Sequence, residues 1–436
     1  MTDAGVPFDA VSANAGPVAR GSVARVGIAT AITAACGYAV LYLAARKLEP
    51  AGFAVFGVFW GAFGLVAGAA NGLLQEATRE VRVARAALLD RAATARTRPI
   101  WVAGGVGLAA AAAISGTSPV WAPHVFAEER ALSVTLLSLG LAGFCLHATL
   151  LGMLAGTDRW SQYGSLMVTD AAIRVVIATA AFVLGWGLAG FLWATVAGAV
   201  AWLLLLAVSA VARLAAGSRT TGSVSDFLRG SAHSVAAAGA SAVLVMGFPV
   251  LLKTTAGDLG AAGGVVILAV TLTRAPLLVP LTAMQGNLIA YFVDHRSARL
   301  RSLLPPAAIV TALGAIGVVG AAFIGPWLMR VGFGPEYRAS GTLLAWLTAA
   351  AVSIALLTLT GAAAVAAALH RAYAVGWVGA TVAAALLLTL PMPLEVRTVI
   401  ALLCGPLVGI AVHLTALAWG AGSGPEPAGI RSGRRP

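Results

Sequence analysis

The chain has 436 residues, of which 60% are hydrophobic and only 10% are Asp, Glu, Lys or Arg. Against the roughly 45–50% apolar share of an ordinary soluble domain, that composition excludes a water-soluble globule. The formal charge of +12 is scattered through short gaps between apolar runs, a distribution that argues against a nucleic-acid partner.

In chain order, apolar stretches lie near 24–45, 53–75, 100–117, 131–155, 163–184, 187–211, 232–252, 264–290, 303–325, 341–368, 373–391 and 398–419. Most hold 18 or more residues, enough at about 1.5 Å per residue to cross a hydrocarbon core of roughly 30 Å. The runs lack period-2 alternation, so each is expected to close its own hydrogen bonds as a helix. The expected fold class is therefore an all-α integral membrane protein with about 12 transmembrane helices. Gly64, Gly68, Gly104, Gly105 and Gly107 either let neighbouring helices approach closely or simply reflect a chain with 51 Gly.

With the amino terminus inside, alternating loops put 19 Lys/Arg on the cytoplasmic side, seven outside and two, Arg174 and Arg274, within spans. That asymmetry predicts a multi-pass protein of the cytoplasmic membrane with both termini cytoplasmic. No apolar core precedes Arg20, so the first span is expected to act as its own insertion signal. Cys36, Cys145 and Cys404 fall inside spans and offer neither a disulfide framework nor a metal-ligand spacing.

The Gly/Ser/Thr-rich stretch 213–230 reads as a cytoplasmic linker. It separates a six-helix lobe at 23–212 from a second at 231–420, with cytoplasmic tails at 1–22 and 421–436, the latter carrying Arg431, Arg434 and Arg435. Span 1, a short turn, span 2 and a basic loop recur as span 7, a turn, span 8 and a basic loop. An even number of spans per half makes the halves parallel, and such pairs enclose a central cavity.

Several charges stand out within this plan. An arginine at mid-membrane costs about 2.5–3.5 kcal/mol on the mildest scale, so it normally faces water or a partner. Arg174 follows Asp170 by one helical turn, so the two form a self-neutralising pair or face a cavity; Asp170 is the candidate ion-coupling group. Arg274 has no acid in its own span, and Pro276 and Pro280 are expected to break that span beside a cavity wall, or to kink it for packing with Arg274 on nearby carbonyls. Arg46 and Lys47 occupy places equivalent to Lys253 in the other half, joined by Arg330, Arg338 and Arg397. These either snorkel to headgroups or form a funnel for a phosphate-bearing anion. The segment 76–98 sets topology by its charge or attracts anionic membrane lipids as an interfacial helix. Arg79 differs, since it continues the polar run Asn71, Gln75, Glu76.

Catalytic signals are poor: there is no Gly-rich phosphate loop and no HExxH, and the 6 His are scattered. No enzyme activity, cofactor or metal is expected, and Glu128, Glu129 and Asp258 are too few for a membrane glycosyltransferase.

The stretch Tyr42-Leu43-Ala44-Ala45-Arg46-Lys47-Leu48-Glu49-Pro50-Ala51-Gly52-Phe53-Ala54-Val55-Phe56-Gly57 resembles the opening of the polysaccharide flippase family, O-antigen-type members of the multidrug/oligosaccharidyl-lipid/polysaccharide exporter superfamily. Gly72 to Arg79 is similar to that family's polar close of span 2. The resemblance implies two six-helix lobes around a cationic cavity that holds the pyrophosphate of a polyprenyl-linked oligosaccharide. Arg46 and Arg79 match its motif, whereas a substrate role for Arg174, Arg274 and Lys253 is a physical inference from their placement. Glycosyltransferases or a polymerase of the same pathway are the protein partners it implies. Two other readings stand beside it: an ion-coupled drug or metabolite exporter, and a membrane enzyme or scaffold for envelope polymers.

Overall fold

Backbone amides have no water to bond within a bilayer, so apolar runs of this length fold as helices. The computed structural model describes residues 20–89, 96–295 and 300–422. Most of both tails, together with Arg91, Arg296 and Arg299, lies outside the described residues.

Helix α1 runs Arg20–Leu89, 70 residues. At about 1.5 Å per residue that is roughly three bilayer cores long, and it is broken at Glu49, which has φ 56 and ψ 173. A left-handed, non-glycine residue costs about 1–2 kcal/mol, and Pro50 behind it has no N–H to continue the ladder. The two arms of α1 are thus separate crossings. The rest of the first half is α2 (Pro99–Val125), α3 (Arg130–Gly156), α4 (Trp160–Leu184), α5 (Gly187–Ala197) continued through a 3-10 turn by α6 (Ala201–Val208), and short α7 (Ala210–Ala216).

The second half is α8 (Val224–Val245) and α9 (Phe248–Ala256), α10 (Gly260–Ala283), α11 (Gln285–Asp294), α12 (Leu304–Phe323), α13 (Gly325–Phe333), α14 (Gly341–Ala366), α15 (His370–Leu388) and α16 (Leu394–Gly422). Among the described residues, 10 helices are long and apolar enough to cross a membrane, or 11 when the α8–α9 pair, bent by 62°, is taken as one span. Separating the arms of α1 at Glu49 brings the crossings to twelve, in two lobes of six. The face carrying Arg20 and Gly422 is called terminal below, the face carrying Glu49 distal.

The halves repeat in backbone detail. The turn after α3 places Asp158 at φ 58, and the turn after α14 places Ala368, 210 positions on, at φ 60. Their hydrogen bonds correspond one for one: Arg159 N–H to the Leu154 carbonyl and Leu369 N–H to Ala364, Tyr163 to Arg159 and Tyr373 to Leu369. Both turns lie on the terminal face, so the repeat is parallel, as the span count predicts.

The lobes meet along the second arm of α1. Gly57, Gly61, Gly64, Gly68 and Gly72 recur every three or four residues and so share one helix face. A Cβ at these positions would strike Ile267, Pro249, Met246, Ala242 and the Val235 backbone respectively. Gly64 and Gly68 therefore serve close approach, whereas Gly105 faces open space.

At the distal face the seam is sealed. The Pro50 carbonyl fills the place of a side chain on Gly264, and the Tyr337 hydroxyl donates to the Ala45 carbonyl at 3.0 Å. Burial raises the Tyr337 phenol above its ordinary pKa, which keeps it protonated as that donor. Phe53 meets Tyr337 edge-on with ring centroids 6.2 Å apart. Burial changes toward the terminal face. Residues 263–270 of α10 are all buried, but from 271 to 282 only Arg274 and Leu281 are. Between Arg25 and Ala39 on the first arm only Ala29 is buried. Exposure thus rises on both elements toward the terminal face, while the glycine seam stays closed.

Of the two proline readings, a break at Pro276 or Pro280 is not seen, whereas Arg274 does lie on nearby carbonyls as the other supposed. Helix α10 continues through Pro276 and Pro280 to Ala283, because each proline removes one donor while its fixed φ still suits a helix, and the packed stretch 263–270 holds the helix in place. The expected span is interrupted only past the prolines, at Met284 between α10 and α11, and a 62° bend falls one crossing earlier, at Met246–Gly247, ahead of Pro249 in the first turn of α9. Proline is well placed in a helix's first turn and disfavours helix in the residue before it.

Gly72→Ala is expected to lower stability in detergent by about 1–3 kcal/mol through overpacking, whereas Gly105→Ala leaves the melting temperature unchanged; thermal melts of the two variants check this.

Candidate functional site

The two mid-span arginines have different surroundings. Arg274 projects from α10 to the broken end of α8, where the last carbonyls of that helix lack intrahelical donors. Its Nη1 donates to the Val245 carbonyl at 3.1 Å and reaches Leu244 at 3.5 Å. The guanidinium lies 5.2 Å from the Phe248 ring centroid. A cation at a helix carboxyl end is favoured by the dipole, so the break in α8 and the charge on α10 support each other. Arg274 is only 8% exposed, its Nη2 has no partner, and no acidic side chain bonds it. Tyr38 of the other lobe lies within its electrostatic reach. Arg274 thus sits where the buried half of α10 ends.

Arg174 is closed off inside the first lobe. Its Nε and Nη2 hold Asp170 at 3.0–3.2 Å, and its Nη1 donates to the Thr195 carbonyl at 2.6 Å. The Phe63 ring lies 5.4 Å from the guanidinium, and Gly198 leaves room for the Asp170 carboxylate. The open alternative resolves to the i, i+4 pair, with side chains 14% and 12% exposed. Nothing in this geometry presents Arg174 to the gap between the lobes.

Arg79 sits at the terminal end of the seam, bonded to Glu76 and Glu80 at 2.6 Å each. Two nearly buried carboxylates thereby share one guanidinium that is itself 57% exposed. Gly230 of α8 makes room for Glu76, and Gly222 for Glu80, so the cluster lies where the segment between the lobes returns to the first lobe. Further along α1, Arg85 donates to the Gly156 carbonyl at 3.1 Å and to Asp158 at 2.9 Å. Arg82 also reaches Asp158, at 3.4 Å. These two cap the end of α3, so protein contacts already engage part of the segment that sequence reading offered to anionic lipid.

Arg46, Lys47 and Lys253 all lie at the distal face. Arg46 is exposed beside Gly334, Lys47 stands 5.8 Å from the Phe182 ring centroid, and Lys253 occupies the last turn of α9. The six candidates therefore fall into four places: Arg274 at the lobe interface, Asp170 with Arg174 inside a lobe, Arg79 on the terminal face, and Arg46 with Lys253 on the distal face.

Sequence reading missed two buried histidines. His147 of α3 stacks on Phe144 with centroids 5.3 Å apart, and its Nδ1 has no partner. His413 of α16 bonds Thr360 at 3.1 Å and the Tyr373 carbonyl at 3.3 Å, in room that Gly376 provides. The available signal was position: each lies inside an uncharged apolar run, where a polar ring is uncommon. Among the described residues no group of three His, Cys, Asp or Glu could hold a metal.

No protein-family model matches the chain. Two proteins of Mycobacterium tuberculosis H37Rv, both described as uncharacterized, match it almost end to end. One is 68% identical over 417 residues, 95% of this chain and 96% of its own length. The other is 66% identical over 418 residues, 96% and 95%. The chain belongs to the family of these mycobacterial proteins. A Mycobacterium bovis protein of this family is likewise 68% identical over 417 residues.

Among solved structures, an inward-facing multidrug resistance MATE family transporter of the MOP superfamily matches with a TM-score of 0.70 at 16% identity, over 91% of this chain and 99% of that one. An outward-facing form of such a transporter scores 0.61 at 14% identity, over 92% and 96%. A MOP superfamily transporter from Pyrococcus furiosus, reported with a binding pocket of reverse polarity that suggests a different function, scores 0.57 at 15% identity, over 92% and 97%. At these identities the likeness is one of fold, and this mycobacterial family has the two-lobed MATE fold.

Removing one member of a buried ion pair costs about 3–5 kcal/mol, while replacing both by apolar side chains is close to neutral. Arg174→Met is accordingly expected to lower the stability of this family member sharply and Asp170→Leu/Arg174→Met to recover most of it, as read from thermal melts of the purified proteins.

Proposed function

We propose that this protein is a membrane transporter that works by alternating access, and that its cargo is a lipid-linked saccharide bearing a phosphate or pyrophosphate. The observation that carries the reading is Arg274: buried at the lobe interface, unopposed by any carboxylate, and holding an Nη2 without a partner. Phosphate oxygens match guanidinium donors in pairs. The distal seal, the rise in exposure toward the terminal face and the higher score against the inward-facing transporter support a conformation open on one side. With the termini cytoplasmic, as charge asymmetry predicts, that opening faces the leaflet where lipid-linked precursors are made. The flippase-like stretch at Arg46 and the polar run ending at Arg79 support the same cargo class. In this reading Arg46 and Lys253 attract the phosphate at the distal face.

An ion-coupled multidrug exporter is a second reading, supported by the named activity of the structural neighbours. An organic cation would need a free acid within the membrane, and Asp170 is fully engaged by Arg174, so the first reading is favoured.

The test is translocation in proteoliposomes. The wild type is expected to move a fluorescent polyprenyl-pyrophosphate saccharide, and Arg274→Gln to slow it at least 10-fold while the protein still melts cooperatively. Equal rates in a folded Arg274→Gln protein overturn the assigned role. Failure of the wild type to move the lipid, with proton-driven dye efflux that Asp170→Asn abolishes, selects the second reading.

A further inference from the structure

The chain does not pass directly from α12 into α14. At the distal face it first forms α13, nine residues and so about 14 Å long, too short to cross a bilayer. Helix α13 and the loop behind it form an open surface pocket of about 790 Å³ lined by Pro326, Trp327, Arg330, Val331, Pro335 and Arg338.

Both arginines are tethered by Nε alone. Arg330 Nε donates to the Pro326 carbonyl at 3.2 Å and Arg338 Nε to Pro335 at 3.0 Å. The terminal amino groups of both are left without a protein acceptor, and neither side chain forms an ion pair. The acid of this loop, Glu336, lies with Arg46 beside Gly334 and bonds neither arginine. Around these cations the surface is apolar: Trp327 is 55% exposed, Val331 61% and Phe323 81%. A short helix that exposes apolar side chains beside cations has the character of an interfacial helix.

We propose that this pocket holds the phosphate of a phosphate-bearing lipid, with the acyl chains on the apolar rim and the oxygens on the free amino groups of Arg330 and Arg338. Paired guanidinium donors suit a phosphate better than any other membrane headgroup. A pocket near the upper end of the usual ligand range of about 300–1,000 Å³ also has room for more than a bare anion. The inference does not rest on the transport reading. The same loop carries Tyr337, whose hydroxyl closes the distal seam on Ala45, so a lipid seated here braces that seal.

The experiment is a thermal-shift titration of the purified full-length protein in detergent with short-chain phosphatidylglycerol, with inorganic phosphate, and with the matching diacylglycerol. Phosphatidylglycerol is expected to raise the melting temperature of the wild type. Its apparent affinity should fall about 10-fold or more in Arg330→Gln/Arg338→Gln and stay unchanged in Arg219→Gln/Arg371→Gln, which removes two exposed charges elsewhere. Trp327→Ala, which keeps both charges, should also weaken the lipid and provides a second readout if the double variant folds poorly. Equal binding by the folded double variant overturns the site. Equal stabilisation by inorganic phosphate overturns the lipid in favour of a free anion, and equal stabilisation by diacylglycerol overturns the phosphate.

Discussion

The closeness of two backbones, the second arm of α1 and α8, is the constraint on which the rest of the structure depends. In a bilayer the lipid tails are as apolar as the helices, so burying hydrocarbon gives little drive to bring lobes together, and dispersion between closely fitted surfaces must do it. Gly64, Gly68 and Gly72 allow that fit, and Gly57 and Gly61 on the same face admit Ile267 of α10 and Pro249 of α9. With α8 held this near, Pro249 and Met246 pack on Gly61 and Gly64, and Gly247 and Phe248 at the bend are buried, although Met246 is 51% exposed. A break in a membrane helix is tolerable only where other groups can meet the freed carbonyls. Arg274 is the group that meets them. The seam, the bend and the buried cation form one dependent series.

The charges deep in the protein illustrate how a low-dielectric interior sorts similar residues by what lies within a few ångströms. Arg174 finds a carboxylate one helical turn away and a backbone carbonyl on the next helix, and its donors are largely used up. Arg274 finds only carbonyls and an aromatic face, which satisfy part of the guanidinium and leave its full charge unneutralised. Of the two, only Arg274 keeps a buried donor without a partner, its Nη2. Arg79 belongs to a different balance: its neighbours Glu76 and Glu80 carry one negative charge more than it supplies.

Much of this was legible from the chain alone. Twelve crossings follow from run lengths, and the spacing offered the Asp170–Arg174 pair as one of two readings, between which the fold decided. The break was misplaced because two mid-helix prolines are a louder signal than Gly247 with Pro249 two residues on, and whether a proline bends a helix depends on what packs against it. His413 escaped notice because its partners, Tyr373 and Thr360, come from other helices.

Composition and hydrophobic run length by themselves determined that this chain is a bundle of some dozen membrane helices in two parallel halves, because a bilayer leaves few ways to satisfy a polar backbone. Tertiary structure alone decided which charges are neutralised, where α8 breaks, and which end of the lobe interface is shut. Those outcomes are set by contacts such as Gly72 with Val235, Tyr337 with Ala45 and Arg274 with Val245. Such residues stand tens to hundreds of positions apart, and only the packing of helix against helix brings their short-range forces into play.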